Sequence, residues 1–168
     1  MPSIPFWALG LVYWLHMLAT VAWIGSLVAI SLLFLPAIRK TLKPFDQLAV
    51  LAAMQKRLEP IAWFSMVLLA ATGLFQLSAN PHYDGFLSTS GQWSIAILVK
   101  HSLSVVMVVV SAIQTWEVLP AIHRGLLRAE KADPEELARL QRQETLLLRI
   151  NLFLSALILA ATALARAS

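Results

Sequence analysis

The chain has 168 residues, which is the length of a single domain. Hydrophobic residues make up 59% of it and charged residues only 13%, whereas a soluble domain is roughly half apolar and about 25% charged. This composition excludes an ordinary water-soluble globule, and the absence of cysteine excludes disulfides and thiolate metal sites.

Four stretches with few or no charges are long enough to cross a bilayer, for which ~20 apolar residues suffice. They cover about residues 6–35, 60–79, 92–119 and 150–165. Before the last of them, Asp133 as N-cap and Pro134 as first helical residue predict an amphipathic helix over about 134–149, with its charges on a solvated face. The sequence therefore predicts an all-α fold, an integral membrane four-helix bundle that occupies residues 1–168 as one domain.

The distribution of Lys and Arg predicts the direction of the spans. Basic residues are concentrated after the first and third spans, and the loop at 80–91 contains none. Because cytoplasmic loops carry the excess of Lys and Arg, both basic segments are predicted to be cytoplasmic and both termini to lie outside. The net charge of +4 reflects the Lys and Arg residues gathered in these predicted cytoplasmic segments, so it does not indicate nucleic-acid binding. We expect the protein in a bacterial plasma (inner) membrane.

Two short sequence matches indicate an internal duplication. Residues 35–38 and 119–122 both read Leu-Pro-Ala-Ile, at an offset of 84. Residues 69–74 and 159–164 share Leu-Ala-Ala-Thr followed by a small residue and Leu. Since both halves start outside, the sequence predicts a 2+2 parallel repeat whose axis is the membrane normal.

Three ionisable residues lie inside the predicted spans, where such groups are costly and usually functional: His16, Lys100 and His101. His16 follows Trp7 by nine residues and His101 follows Trp93 by eight. Both histidines are thus predicted at one depth, roughly 12–14 Å below the outer interface, at a rise of about 1.5 Å per residue. They are placed to face one another across the bundle.

Neutral imidazole is a ligand for haem iron, copper and zinc. Two axial histidines on facing helices suit b-type haem in a bundle core, so we predict haem b between His16 and His101. Lys100 is expected to pair with a propionate or to stay near the outer leaflet, and its alternative role is to replace one histidine as axial ligand. Helical spacing places further cofactor-binding residues on the faces of the two histidines, namely Thr20, Trp23 and Ser104. The structural alternative is that these side chains only form hydrogen bonds between helices and bind no cofactor.

Several of these segments resemble known families. Leu15-His16, the Ala-Trp-Ile-Gly at 22–25 and the Leu-Pro-Ala at 35–37 resemble the first helix of the copper resistance protein D membrane domain. Thr-Gly-Leu at 72–74 and Lys100 resemble the second and third helices of that family, so that the resemblance runs from about Leu11 to Arg124. The chain is also similar to HemJ-type protoporphyrinogen oxidases at the His16, Trp23 and Lys100 positions. The first resemblance implies copper handling and the second implies haem.

The preferred interpretation is a small membrane haem-b protein that performs electron transfer or senses redox state or gas. A haem-dependent oxidoreductase is left open. The first alternative is a copper transport or resistance component in which His16, Met17 and His101 mark an ion path, and the second is a non-catalytic structural subunit. The partners expected are membrane lipid and a redox protein or quinone, with no nucleic acid. Association into a homo-oligomer is left open.

Overall fold

A computed structural model describes residues 5–81, 83, 85–127 and 134–167, and every regular element within them is helical. The helices are α1 (Phe6–Val28), α2 (Leu35–Thr41), α3 (Pro44–Ser78), α4 (Gln92–Ile113), α5 (Leu119–Leu127) and α6 (Pro134–Ala167). Two π-helical segments, Ala29–Phe34 and Gln114–Val118, join α1 to α2 and α4 to α5. The all-α prediction is confirmed.

Four helical stretches of the described residues are long and apolar enough to cross a membrane, and we number them as spans one to four. They are Phe6–Thr41, Pro44–Ser78, Gln92–Leu127 and Glu135–Ala167. Large apolar side chains such as Phe6, Phe64 and Leu164 are exposed on the outside of the bundle, which is typical of a surface that contacts lipid. The chain is an integral membrane protein, as predicted. The direction of its spans stays a prediction.

The helices extend beyond the apolar stretches seen in the sequence. Helix α3 begins at Pro44, not near Pro60, which lies exposed inside it. A single helix, α6, covers both the predicted amphipathic segment and the fourth apolar stretch. The predicted cap Asp133 lies outside the described residues.

One residue of the amphipathic segment corrects the prediction of a solvated charged face. Arg139, Arg142 and Arg149 are exposed as expected, but Glu144 is completely buried. The helix turns this carboxyl group toward its neighbours because Gln141, Glu144 and Leu148 lie on the face of α6 that packs inward.

The spans associate as two hairpins. Helix α1 packs mainly against α3, and α4 packs mainly against α6. The larger apolar core joins the hairpins and contains one cluster of buried side chains: Trp23, Leu27, Ile30, Leu35, Leu51, Met66, Met107, Leu148 and Leu154. A second cluster lies toward the end of the bundle that carries Arg39 and Lys40, which we call the basic end: Leu48, Ala52, Val118, Ile122 and Leu140.

Both π segments immediately precede a Leu-Pro pair, at Leu35-Pro36 and Leu119-Pro120. Inside an α-helix a proline ring clashes with the carbonyl four residues earlier, and it has no N–H to bond to that carbonyl. A wider π turn ahead of the proline relieves the clash while the helix continues. The two segments occupy equivalent places in the two Leu-Pro-Ala-Ile sequences, although the duplication itself stays a prediction.

Candidate functional site

His16 lies half-buried on α1 and faces α3. Its Nδ1 is 2.8 Å from the Thr72 hydroxyl oxygen, and its ring lies beside Gly73, where a Cβ atom would be 3.5 Å from Cε1. Thr72 and Gly73 belong to the Thr-Gly-Leu sequence of span two. One residue of this sequence therefore binds the ring, and the next lies against it.

The hydrogen bonds around Thr72 identify the tautomer of His16. The Thr72 hydroxyl donates its proton to the Leu68 carbonyl oxygen, 2.6 Å away. With that proton engaged, the hydroxyl can only accept from His16, so Nδ1 carries the ring proton. Nε2 then holds the lone pair, and no hydrogen bond to a described residue occupies it. An imidazole anchored through Nδ1–H with a free Nε2 is the usual arrangement of a metal-ligating histidine.

His101 has the same tautomer on α4. Its Nδ1 donates to the Ile97 carbonyl oxygen at 2.7 Å, and a carbonyl can only accept. Phe86 packs against the ring edge-on, with the ring centroids 5.1 Å apart. His101 is half-buried, and its Nε2 also has no hydrogen bond within the described residues.

One positively charged side chain acts on the His16 ring, and a second acts on the first. The Lys100 ammonium group interacts electrostatically with His16, and the Arg166 guanidinium interacts with Lys100. Arg166 also lies over the Tyr13 ring, with Cζ 5.7 Å from its centroid. Spans one, three and four thus contribute to one cluster, which we call the outer cationic cluster after the side of the membrane that the basic segments predict for it: Tyr13, His16, Lys100 and Arg166.

The other predicted cofactor residues are bonded locally or packed in the core. The hydroxyl groups of Thr20 and Ser104 donate to the carbonyl oxygens of His16 and Lys100, each at 2.8 Å. Both bonds are within one helix, so these hydroxyls support the backbone that carries the ionisable side chains. Trp23 is buried in the larger apolar core with Met66 and Met107.

Lys100 interacts electrostatically with His16, whereas the predicted sharing of one metal by His16 and His101 stays a prediction. In the described part of the chain, no group of three or more His, Cys, Asp or Glu side chains is arranged to hold a metal ion. Met17, one residue after His16, is exposed on the outside of the bundle. The buried methionines are instead Met66 and Met107.

Sequence reasoning assigned no functional role to Thr72, although Thr72-Gly73-Leu74 was already the family-like part of span two. It also missed the buried polar group formed by Gln55, Gln114 and Glu144. The sequence signal for that group is a row of polar residues on one face of α6, successively three, seven and four residues apart: Gln141, Glu144, Asn151 and Ser155.

Comparison with known proteins identifies the family of the chain. Searches of curated proteins and of solved structures found no match. The family model described as copper resistance protein D matches residues 52–165, which is more than half of the chain. Lys100, His101 and Glu144 lie within the matched residues, while His16 precedes them. The chain belongs to the copper resistance protein D family.

Proposed function

We propose that the chain binds copper inside the membrane at His16, as a component of copper transport or resistance. The observation that carries this proposal is the anchored His16 ring, whose Nδ1–H is bonded to Thr72 and whose Nε2 has no hydrogen-bond partner among the described residues. Neutral imidazole is a good copper ligand, and the family description names copper. His101 supplies a second imidazole in the same tautomer.

The outer cationic cluster suits an ion that passes through the site. The charge on Lys100 opposes a cation at His16 and so weakens its retention. Transport requires binding that is favourable enough for entry and weak enough for release. Met66 and Met107, buried in the apolar core beside Trp23, offer thioether ligands farther along the bundle. Soft thioethers favour the cuprous ion.

Haem b is the second candidate, and the outer cationic cluster is the observation that favours it. Lys100 and Arg166 match the carboxylates of two propionates. The free Nε2 atoms of His16 and His101 match axial ligation within a helical bundle. In that case the protein performs electron transfer or redox or gas sensing, with a quinone or redox protein as partner. Oxidoreductase chemistry requires an open axial position.

Metal analysis and an absorption spectrum of the full chain, purified in detergent from cells supplied with copper and haem, separate the two functions. We expect a preparation without a Soret band that binds copper, and we expect His16→Ala to reduce the bound copper severalfold. His123→Ala is the control, because that histidine is exposed and near the basic end. A Soret band that is present in the unmodified chain and lost in His16→Ala would show that the group bound at His16 is haem and not copper. Copper retained in full by His16→Ala would overturn the proposed site.

A further inference from the structure

A buried carboxyl group lies where spans two, three and four meet near the basic end. Glu144 of α6 has no exposed surface. Its Oε1 accepts hydrogen bonds from two amides, Nε2 of Gln55 and Nε2 of Gln114, the latter at 2.7 Å. Gln114 begins the second π segment, and such segments are frequent at functional sites.

The second oxygen of this carboxyl group is unsatisfied. Glu144 Oε2 is buried and has no hydrogen-bond partner in the described part of the chain. Asn151 shows the same feature: its Nδ2 donates to Ser111 Oγ at 3.2 Å, while its buried Oδ1 has no partner. Two free acceptors therefore lie on one face of α6, two helical turns apart. Both lack a donor.

Within the described residues no positive charge neutralises the carboxyl group, because Glu144 forms no ion pair with any of them. Next to Glu144 in the chain, Thr145 Oγ1 accepts a hydrogen bond from Arg39 at 3.0 Å. Of the other charged residues described on the helices packed around it, Glu59 and Lys100 are half-buried and the rest are exposed: Lys40, Asp46, Lys56, Arg57, Glu117, Arg124, Glu135, Glu136, Arg139, Arg142, Arg149 and Arg166. An ionised carboxylate buried without a partner is costly, and such groups normally take up a proton instead.

Polar residues connect this site to the basic end. Gln141, one turn before Glu144, donates from Nε2 to Gln47 Oε1 at 2.9 Å. Gln47 in turn donates to the Leu42 carbonyl oxygen at 2.7 Å, at the exposed turn between α2 and α3. In the opposite direction, the buried side chain of Leu148 separates Glu144 from Asn151. The Gln47–Gln141 pair thus provides polar groups on the side of Glu144 toward the basic end, beside the apolar cluster around Leu48.

We propose that Glu144 is a proton-binding site within the bundle, filled and emptied from the basic end. A proton from water at that end forms an O–H bond with Oε2, and Gln55 and Gln114 remain bonded to Oε1. Release breaks the same O–H bond and returns the proton to water. The neutral form removes the unpaired charge, and the two glutamines fix which oxygen takes the proton. This role does not depend on what binds at His16.

Infrared spectroscopy of the full chain in lipid vesicles tests the proposal. We expect the C=O stretch of a protonated carboxyl group at neutral pH, its displacement in D2O as the proton exchanges, and its loss in Glu144→Gln. The matched control Glu117→Gln removes an exposed carboxyl group of the second π segment and is expected to keep the absorption. An absorption that survives in Glu144→Gln, or that never exchanges in D2O, would overturn the proposal. So would a wild-type spectrum that contains only carboxylate bands.

A second variant keeps the test decisive if Glu144→Gln does not fold. Gln114→Leu removes one of the two donors to Oε1 and leaves the carboxyl group in place. Fewer hydrogen bonds to the C=O oxygen raise its stretching frequency, so the absorption should move upward without disappearing. If the absorption does not move in Gln114→Leu, it comes from a carboxyl group other than Glu144, which would contradict the proposal.

Discussion

The Thr72 hydroxyl fixes the orientation of His16 across the interface of spans one and two. It accepts a hydrogen bond from His16 Nδ1 at 2.8 Å and donates one to the Leu68 carbonyl oxygen. A residue of α3 therefore determines which nitrogen of an α1 histidine is free to act as a ligand.

Thr72→Val should weaken metal binding while leaving the fold intact. Valine keeps the shape of threonine but cannot accept from Nδ1, so the ring loses its orientation. Loss of such a supporting bond typically costs about 10–100-fold in metal affinity. Competition titration with a cuprous chelator measures the change.

Thr162→Val is the matched control for this substitution. Its hydroxyl also donates to the carbonyl four residues earlier, that of Ile158, but it bonds to no histidine. We expect its copper affinity to equal that of the unmodified chain. Equal losses of copper affinity in both variants would show that Thr72→Val acts through the helix backbone and not through His16.

Gly73→Ala should be tolerated and mildly stabilising. The added Cβ lies 3.5 Å from His16 Cε1, which is an ordinary van der Waals contact. Alanine is favoured over glycine inside a helix by up to about 1 kcal/mol. The expected result is a higher midpoint of thermal unfolding in detergent with unchanged copper affinity. A lower midpoint would mean that the His16 ring requires more space than this contact shows.

Glu144→Ala should destabilise the bundle strongly, by about 2–5 kcal/mol. The substitution leaves a cavity and deprives two buried glutamine amides of their acceptor. Glu144→Gln keeps the volume and one acceptor oxygen, so it should cost much less. Thermal unfolding in one detergent compares the two variants, with the exposed Glu117→Ala as control. Similar losses of thermal stability in Glu144→Ala and Glu117→Ala would contradict the packing described for span four.

The absence of cysteine makes the direction of the spans measurable with single introduced thiols. Thr89 lies exposed in the loop between spans two and three, and Lys43 lies exposed at the basic end. A membrane-impermeant maleimide applied to intact cells should label Thr89→Cys. Lys43→Cys should react only after the membrane is opened. The reverse pattern would invert the topology predicted from the basic segments.

The fold was predictable because apolar length alone identifies spans. Helix ends were less predictable: the helical part of α3 before Pro60 carries Asp46, Lys56 and Arg57, so hydropathy gives no sign that the helix begins at Pro44. Packing against α5 and α6, not hydropathy, accounts for its helical extension.

At the candidate site, sequence reasoning could predict residues that are unusual where they stand. His16 and Lys100 were identifiable because ionisable groups are rare in apolar spans. Their partners depend on how the helices meet. Thr72 is one of several threonines in the spans, and only the contact of α1 with α3 distinguishes it. Glu144 was read as solvated because acidic residues near Arg139 and Arg142 normally face water, and only tertiary packing buries it.

The second π segment gives span three one residue more than a regular helix needs. A π turn absorbs that residue by widening, so the helix before it and the helix after it keep the faces they would have in an uninterrupted α-helix. Removal of one residue from Gln114–Val118 would therefore let the helix close with α geometry, while Ile122 stayed in the cluster around Leu48 and Lys100 and His101 kept their places. The same deletion in the regular part of α4 would turn everything after it by about 100°. Span three thus has one place, ahead of Leu119-Pro120, where it can change length without losing its packing.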